Sequence, residues 1–274
     1  MGFGALTVPL VPVGNLRLYV EDVGIGAPVL FIAGLGSDHH TWVPVLPLLS
    51  DAFRCITFDN RDSGASDEAG QPYAVAELAA DAAAILEALG VARAHVVGVS
   101  MGGAVAQELA LRYPERVGRL VLLSTYTSSD ERGATILGSW LHLQRALPRD
   151  DYFRAIYPWL YTVEDYAVPG LVESVLEYTL RERSSQSESA YARQMAAALS
   201  HKTVGRLAAI RAPTLLLFGE DDSLTPLRFA RSLAAEIPDV RLQTFPRTGH
   251  SLLWTRTAEV GAAIRQFLSQ DSTG

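Results

Sequence analysis

The chain has 274 residues, of which 49% are hydrophobic and 19% charged, so global disorder is excluded and a sizeable core can be buried. A net charge of -7 without any lysine or arginine cluster argues against nucleic acid as a partner. No apolar run reaches the roughly 18–20 residues of a membrane-spanning helix, and the single cysteine, Cys55, excludes an intrachain disulfide and a multi-thiolate metal site.

Strands alternate with helices in the first half of the chain. Residues 16–20, 29–32, 55–58, 95–99 and 120–123 have the alternating or continuous apolar character of strands. Apolar residues at helical spacing predict helices over 75–89 and 102–113, which end at Gly90 and Pro114. This alternation predicts right-handed crossovers and a mostly parallel sheet, so the predicted fold class is α/β.

A long segment interrupts this alternation before the next strand, at residues 214–218. Ordinary connections in α/β units take about 2–6 residues. The segment is rich in aromatic residues and has helical runs such as 171–176, so we predict a helical cap over residues 126–211. The core domain is then formed by residues 1–125 and 212–274. After the cap, the alternation continues with predicted helices over 226–237 and 258–268 and a predicted strand at 240–245 between them.

A serine in a glycine-rich turn is the first sign of chemistry. Residues 98–103, Gly-Val-Ser-Met-Gly-Gly, match G-x-S-x-G between a predicted strand and a predicted helix. A sharp turn there would raise the Ser100 hydroxyl above the carboxyl edge of the sheet and place the Met101 N–H at a helix N-terminus. Serine needs a base and the base needs an acid. His250 follows the last predicted strand, and the carboxylates at 220–222 follow the strand before it.

With its motifs in the order serine, acid, histidine, the chain resembles α/β-hydrolase fold enzymes that carry a cap. The acid loop of that family, G-x-x-D-x-x-x-P, matches Gly219, Asp222 and Pro226. The resemblance therefore selects Asp222 rather than Glu220 or Asp221 and implies a catalytic triad of Ser100, Asp222 and His250. It also implies a doubly wound sheet with the cap inserted between the sixth and seventh strands of the core.

Two positions depart from the family pattern. The oxyanion loop reads Ala-Gly-Leu-Gly at 33–36, with Ala33 where the family usually has histidine, and Asp62 replaces the usual glycine of D-x-R-G-x-G-x-S at 59–66. The resemblance still implies an oxyanion hole made by the backbone N–H groups of Leu35 and Met101. The 59–66 variant is similar to the aclacinomycin methylesterase branch, whereas the cap is similar to the 3-oxoadipate enol-lactonase-like branch.

The resemblance implies a cofactor-independent serine hydrolase that cleaves a carboxylic ester or lactone through an acyl-enzyme. Three other reactions of the same fold and triad stay open, namely C–C bond hydrolysis, perhydrolysis and cyclisation of a biosynthetic intermediate. A non-catalytic ligand-binding protein of this fold is a further alternative. No cofactor and no metal are expected, because the chain has neither a nucleotide-binding glycine motif nor an HExxH cluster.

We expect a small, mainly hydrophobic substrate, because pockets of this kind are mostly apolar. The candidate substrate contacts are His39, which follows the oxyanion loop, and the cap residues Trp140, Trp159 and Tyr161. A monomer or homodimer without nucleic-acid or membrane partners is expected. The first residues lack the basic segment of a secretory signal, which predicts a cytoplasmic protein, and a single lysine, Lys202, suggests a GC-rich bacterial genome.

Overall fold

One twisted sheet organises the molecule. The computed structural model describes residues 6–183 and 185–270, without the side chains of residues 6–9. Within these residues eight strands form a sheet in the order β1-β2-β4-β3-β5-β6-β7-β8. The strands are β1 Leu6–Val13, β2 Leu16–Val23, β3 Ala27–Ile32, β4 Phe53–Phe58, β5 Ala94–Val99, β6 Val117–Leu123, β7 Thr214–Gly219 and β8 Val240–Phe245. Strand β2 is antiparallel to both of its neighbours, β1 and β4, and the other pairs are parallel, which confirms the predicted mostly parallel sheet.

Helices cover both faces of this sheet. The helices are α1 Val75–Ala88, α2 Met101–Arg112, α3 Glu131–Ala146, α4 Arg149–Ile156, α5 Val163–Ala167, α6 Leu171–Glu182, α7 Glu188–Ser200, α8 Leu227–Glu236, α9 Leu252–Thr255 and α10 Thr257–Leu268. Alternate residues of β3 enter different apolar clusters: Leu30 and Ile32 pack on the face of α1, α2 and α8, whereas Val29 and Phe31 pack on the face of α10. The central strands therefore read as continuous apolar runs, because neither face of the sheet meets water.

Strand β1 is an element that our sequence reasoning missed. It contains Pro9 and Pro12, and its pairing with β2 shifts register between Val8 and Val11. Proline cannot donate to a ladder, so it is confined to edge strands and bulges. This strand lies at the sheet edge, where both prolines are tolerated.

The helical cap lies between β6 and β7, as predicted, and consists of helices α3 to α7. Local capping fixes where these helices begin: the Asp130 carboxylate accepts from the Gly133 N–H at 2.7 Å, and the Ser187 hydroxyl accepts from the Ala190 N–H at 3.1 Å. The cap has an aromatic core of its own, which includes Trp140, Tyr152, Tyr157 and Tyr161. Among the described helices, none combines the length and the apolar character needed to cross a membrane.

Candidate active site

Ser100 lies at the sharp turn between β5 and α2. Its backbone has φ 55° and ψ -120°, a strained conformation for a residue with a side chain. Glycines allow the chain to pass so closely: a Cβ at Gly98 would lie 2.3 Å from the Gly102 carbonyl oxygen, and a Cβ at Gly102 would lie 2.0 Å from the Ile32 carbonyl oxygen. The turn therefore presents Ser100 at the carboxyl ends of the central strands.

Asp222 and His250 come together at the same edge of the sheet. The Nδ1 atom of His250 lies 2.8 Å from Oδ2 of Asp222. The other carboxylate oxygen accepts from the Leu224 and Thr225 N–H groups at 2.8 Å each, and the Thr225 hydroxyl donates to Oδ2 at 2.6 Å. This network orients the imidazole through Nδ1, as the predicted role of His250 as a base requires.

The electrostatics of Asp222 suit a negative charge despite its burial. Burial disfavours the charged carboxylate, but the nearby His250 and the hydrogen bonds from His250 and Thr225 together hold the pKa of Asp222 below its ordinary value. The neighbouring carboxylates Glu220 and Asp221 are exposed, and Glu220 accepts from the Thr244 hydroxyl at 2.7 Å. Of the three carboxylates, Asp222 is the one that the structure places against His250.

The oxyanion loop, residues 33–36, runs directly beside Ser100. A Cβ built on Gly34 would lie 3.3 Å from the Ser100 Cβ and 3.8 Å from its Oγ. Leu35 and Met101, whose N–H groups are the proposed donors, line the same cavity as Ser100 and His250. Two residues from other parts of the chain hold the loop in place. The Asn60 side-chain amide donates to the Ala33 carbonyl at 3.2 Å, and the Gly36 N–H donates to Gln194 Oε1 at 2.8 Å.

Sequence reasoning missed Asn60 and Gln194 as supports of this loop. Asn60 lies within the recognised 59–66 motif, so its position was available as a signal. Gln194 lies on α7 with no motif around it. Only the folded chain brings it to Gly36.

A cavity of about 380 Å³ separates the core residues from the cap. Its cap wall is largely apolar or aromatic, and it includes Leu137, Trp140, Tyr152, Phe153, Ile156, Tyr157 and Tyr161. Two of the predicted substrate contacts, Trp140 and Tyr161, therefore line the cavity. Arg149 and Arg183 also line it.

Both arginines have structural partners. Arg149 donates to the backbone carbonyls of Thr179, Leu180 and Arg183 at the end of α6. The Arg183 guanidinium donates to the Thr41 hydroxyl at 3.2 Å and lies 3.8 Å from an Asp38 oxygen. The Arg149 contacts join α4 to the end of α6 within the cap, and the Arg183 contacts tie the end of α6 to the core.

Two predicted substrate contacts, Trp159 and His39, lie outside this cavity. Trp159 is 39% exposed and has the Arg132 guanidinium 5.8 Å from its ring centre. His39 turns away within a short 3₁₀ segment, with Nδ1 2.8 Å from Asp59 Oδ1 and Nε2 3.8 Å from Glu21 Oε1. Sequence position after the oxyanion loop does not fix the direction of a side chain, and the ring nitrogens of His39 lie beside Asp59 and Glu21 instead of in the cavity.

His39 belongs to a polar cluster beside the oxyanion loop. Burial acts to lower its pKa, but the hydrogen bond to Asp59 and the charges of Asp59, Glu21 and Asp38 together raise the pKa above its usual value. The potential metal-ligand atoms of Asp38, His39 and His40 lie within 4.8 Å of one another. The Nδ1 atoms of the two histidines already have carboxylate partners, at 2.8 Å for His39 and 3.1 Å for His40.

Comparisons with known proteins agree with this architecture. A family model described as alpha/beta hydrolase fold matches residues 27–190, more than half of the chain. A Mycobacterium tuberculosis H37Rv protein with the provisional name non-heme bromoperoxidase BpoC is 31% identical over 268 residues, covering 93% of this chain and 98% of its own. The poly(3-hydroxyalkanoate) depolymerase of Ectopseudomonas oleovorans is 31% identical, covering 89% of this chain and 85% of its own. The crystal structure of the enol-lactonase from Burkholderia xenovorans LB400 shares the fold, with a TM-score of 0.85 at 22% identity over 96% of this chain and all of its own.

Proposed function

The chain belongs to the α/β-hydrolase fold family, and from this premise we propose that it is a serine hydrolase that cleaves a carboxylic ester or a lactone. The observation that carries the proposal is the 2.8 Å contact between His250 Nδ1 and Asp222 Oδ2, in a cavity that Ser100 also lines. A strained serine, an oriented imidazole and a buried carboxylate are the parts that covalent acyl transfer requires.

In the proposed acylation step, His250 Nε2 accepts the proton of the Ser100 hydroxyl while Oγ attacks the substrate carbonyl. The N–H groups of Leu35 and Met101 stabilise the oxyanion of the tetrahedral intermediate. Asp222 stabilises the imidazolium and stays ionised throughout. When the C–O bond breaks, His250 returns the proton to the leaving alcohol, which remains attached to the acyl group if the substrate is a lactone.

Deacylation repeats the step with water as the nucleophile. His250 removes a proton from the attacking water, the second tetrahedral intermediate forms in the same oxyanion hole, and the proton passes to Ser100 Oγ. The products are the carboxylic acid and the free enzyme. No step of this cycle needs an additional redox group.

The cavity supports a mainly hydrophobic substrate of moderate size. Its volume of about 380 Å³ falls within the usual range of small-molecule sites, and aromatic residues form much of the cap wall. The related depolymerase, by its name, acts on a polyester. We propose a small ester or lactone as the substrate. We further propose that the protein acts as a monomer or homodimer and that it is located in the cytoplasm.

A series of p-nitrophenyl esters from acetate to octanoate tests the proposal. The wild-type protein should hydrolyse members of the series, and Ser100→Ala should reduce kcat by roughly 10⁴-fold or more, as nucleophile removal does in comparable triads. Ser139, an exposed serine on α3, provides a control, and Ser139→Ala should leave kcat unchanged. Turnover of more than a few per cent in Ser100→Ala would contradict the covalent mechanism.

Perhydrolysis is a second candidate, because a relative that spans almost the whole chain bears the name bromoperoxidase. In that reaction hydrogen peroxide attacks the acyl-enzyme in place of water, which releases a peracid and free Ser100. Measuring peracid formation from acetate esters at several peroxide concentrations, in parallel with hydrolysis, distinguishes the two. Hydrolysis is the main reaction if peracid stays a minor product when peroxide exceeds the millimolar range.

A further inference from the structure

Cap helix α7 reaches the oxyanion loop through one buried amide. We propose that Gln194 is a positioning residue, which holds the Leu35–Gly36 peptide so that the docked cap completes the oxyanion hole of the core. The inference rests on the proposed function, because it assigns a role in stabilising the oxyanion. It goes further by making the cap part of the catalytic apparatus as well as a wall of the cavity.

The Gly36 N–H determines which way the Gln194 amide is oriented. Gln194 is fully buried, and its Oε1 accepts from the Gly36 N–H at 2.8 Å and from Gln186 Nε2 at 3.3 Å. Its Nε2 donates to the Ser63 hydroxyl at 2.9 Å. Because a backbone N–H can only donate, Oε1 must be the atom that faces Gly36. The amide therefore links α7 to two loops of the core.

The bond to Gly36 acts on the peptide next to the proposed oxyanion donor. Leu35 contributes the Cα and the carbonyl carbon of the planar peptide whose N–H Gln194 holds, so the bond fixes the Cα of Leu35. Only the φ and ψ angles of Leu35 separate its own N–H from that fixed plane, and we infer that holding the plane limits how far this N–H can move. Gly36 has φ 66°, and a Cβ on it would lie 3.0 Å from the Tyr191 ring, another residue of α7. The helix is therefore hydrogen-bonded to the loop and lies so close to Gly36 that a side chain there would press against the Tyr191 ring.

The position that departs from the family pattern anchors the same helix. Asp62 has φ 68°, and its buried carboxylate pairs with the Arg193 guanidinium through hydrogen bonds of 3.0 and 2.6 Å. The Asp62 carbonyl accepts from Gln186 Nε2 at 2.6 Å. Asp62, where glycine is usual, therefore provides the charged contact that docks the cap beside Gln194.

The second departure from the family pattern, Ala33, lies in the loop that Gln194 contacts. Ala33 has no polar side chain, so the loop takes its support from Asn60 at the Ala33 carbonyl and from Gln194 at the Gly36 N–H. Oxyanion donors act only when they are held about 2.7–3.1 Å from the developing charge, and a misplacement of about 1 Å can cost roughly 100-fold in rate. Releasing Gly36 should therefore lower kcat more than it weakens substrate binding.

The test compares Gln194→Met, Gln194→Glu and Ser63→Ala with the wild type. Methionine keeps the volume of the side chain but removes the acceptor for the Gly36 N–H, whereas glutamate keeps an oxygen for it. Ser63→Ala removes the hydroxyl to which Gln194 Nε2 donates and leaves the bond to Gly36 in place. The substrate is p-nitrophenyl acetate, and the probe is an aryl trifluoromethyl ketone, which forms a tetrahedral oxyanion adduct with a nucleophilic serine.

Gln194→Met should lower kcat about 10–100-fold with KM nearly unchanged, and it should weaken ketone binding by the same factor. Gln194→Glu should recover most of this loss, and Ser63→Ala should stay near wild type in both measurements. If Gln194→Met does not fold, Gln194→Asn, whose shorter amide withdraws from Gly36, carries the same expectation.

An active wild type whose Gln194→Met variant keeps its kcat and ketone affinity overturns this inference alone. Equal losses in Gln194→Met and Ser63→Ala overturn it as well, because they would assign the effect to docking of the cap as a whole. A wild type that neither hydrolyses esters nor forms the ketone adduct refutes the proposed function and this inference with it.

Discussion

In the proposed mechanism, Asp222 determines the chemistry that His250 can perform. Its carboxylate holds Nδ1 of the ring at 2.8 Å, and its remaining lone pairs accept from backbone N–H groups and the Thr225 hydroxyl. A buried carboxylate with this many donors costs less to keep charged than an isolated one. The neutral imidazole is therefore held with its proton on Nδ1 and its lone pair on Nε2.

Replacing Asp222 by asparagine tests this role. An amide in place of the carboxylate can leave His250 in the wrong tautomer, so kcat should fall by about 10⁴-fold, the loss measured for the equivalent change in the protease triad. Asp221→Asn is the matched control, since Asp221 is adjacent but exposed. Steady-state kinetics on one ester suffices, and an Asp221→Asn variant more damaged than Asp222→Asn would show that the acid is misassigned.

Residues that carry short motifs with fixed spacing were predictable from the sequence, and the others were not. Ser100 and Asp222 each follow a strand at a set distance, and the strand ends bring them to one edge of the sheet. Gln194 reaches Gly36 across 158 positions of chain, which no local pattern records. The positions of the His39 and Trp159 side chains depend on neighbours from other elements, so neither their closeness to a motif nor their place in the cap could show that they lie outside the cavity.

At the scale of elements, the turn between β5 and α2 requires glycine, because there is no room for a side chain. A Cβ at Gly102 would lie 2.0 Å from the Ile32 carbonyl oxygen and 2.6 Å from that of Ala33, and both are backbone atoms that cannot rotate away. Helix α2 and strand β3 can pack at this distance only with glycine between them. This requirement for glycine at position 102 affects the stability of the protein as well as the position of Ser100.

Gly102→Ala should therefore destabilise the protein by about 1–3 kcal/mol or more, the usual cost of overpacking. Gly138 offers a matched control, because it lies in helix α3 with nothing within 4 Å of a built Cβ. Gly138→Ala should stabilise by about 0.5–1 kcal/mol through helix propensity. Urea unfolding of the two variants measures both effects, and a stable, active Gly102→Ala protein would contradict the described turn.

The cap offers a matched pair of tryptophans. Trp140 is buried and lines the cavity, whereas Trp159 is 39% exposed and lies outside it. Trp140→Phe should enlarge the cavity and raise the kcat/KM ratio of hexanoate to acetate esters by roughly tenfold, on the scale of a few methylene-sized contacts. Trp159→Phe should leave this ratio unchanged. A larger change of the ratio in Trp159→Phe than in Trp140→Phe would show that the substrate does not bind in the described cavity.

The arrangement of elements was largely predictable, because apolar periodicity reports burial on one face or two. The strands of the buried centre and the helices between them follow that pattern. Strand β1 was missed because its prolines argue against a strand unless its edge position is known. The aromatic richness of the cap predicted a packed unit, but periodicity could not separate residues of its core from residues of the cavity wall.

For the whole molecule, the half-buried His95 and the buried His201 tie stability to pH. Burial, reinforced by the positive charges of Arg119 and Arg93, lowers the pKa of His95 to about 4, and burial also lowers the pKa of His201 to about 4. In the unfolded chain a histidine has a pKa near 6.5. Between these values the unfolded state binds more protons at these two positions, so their contribution to the free energy of unfolding should be greatest above about pH 6.5 and fall as the pH drops toward 4.

His95→Asn isolates one of these contributions. His95 Nδ1 accepts from the Arg119 N–H at 3.0 Å, and the asparagine oxygen can accept the same bond without binding a proton. The variant should lose less stability than wild type between pH 6.5 and 4, whereas His142→Asn, at an exposed position of α3, should follow the wild-type curve. Urea unfolding at four pH values checks this, and identical slopes for wild type and His95→Asn would contradict it.

The account depends most on Ser100 as the nucleophile, and stoichiometric labelling tests this directly. A fluorophosphonate should react once per chain, abolish ester hydrolysis in proportion to labelling, and be found by peptide mass spectrometry on Ser100. Ser100→Ala should take up no label under the same conditions. Labelling at another residue, or hydrolysis that persists in fully labelled protein, would contradict the proposed mechanism.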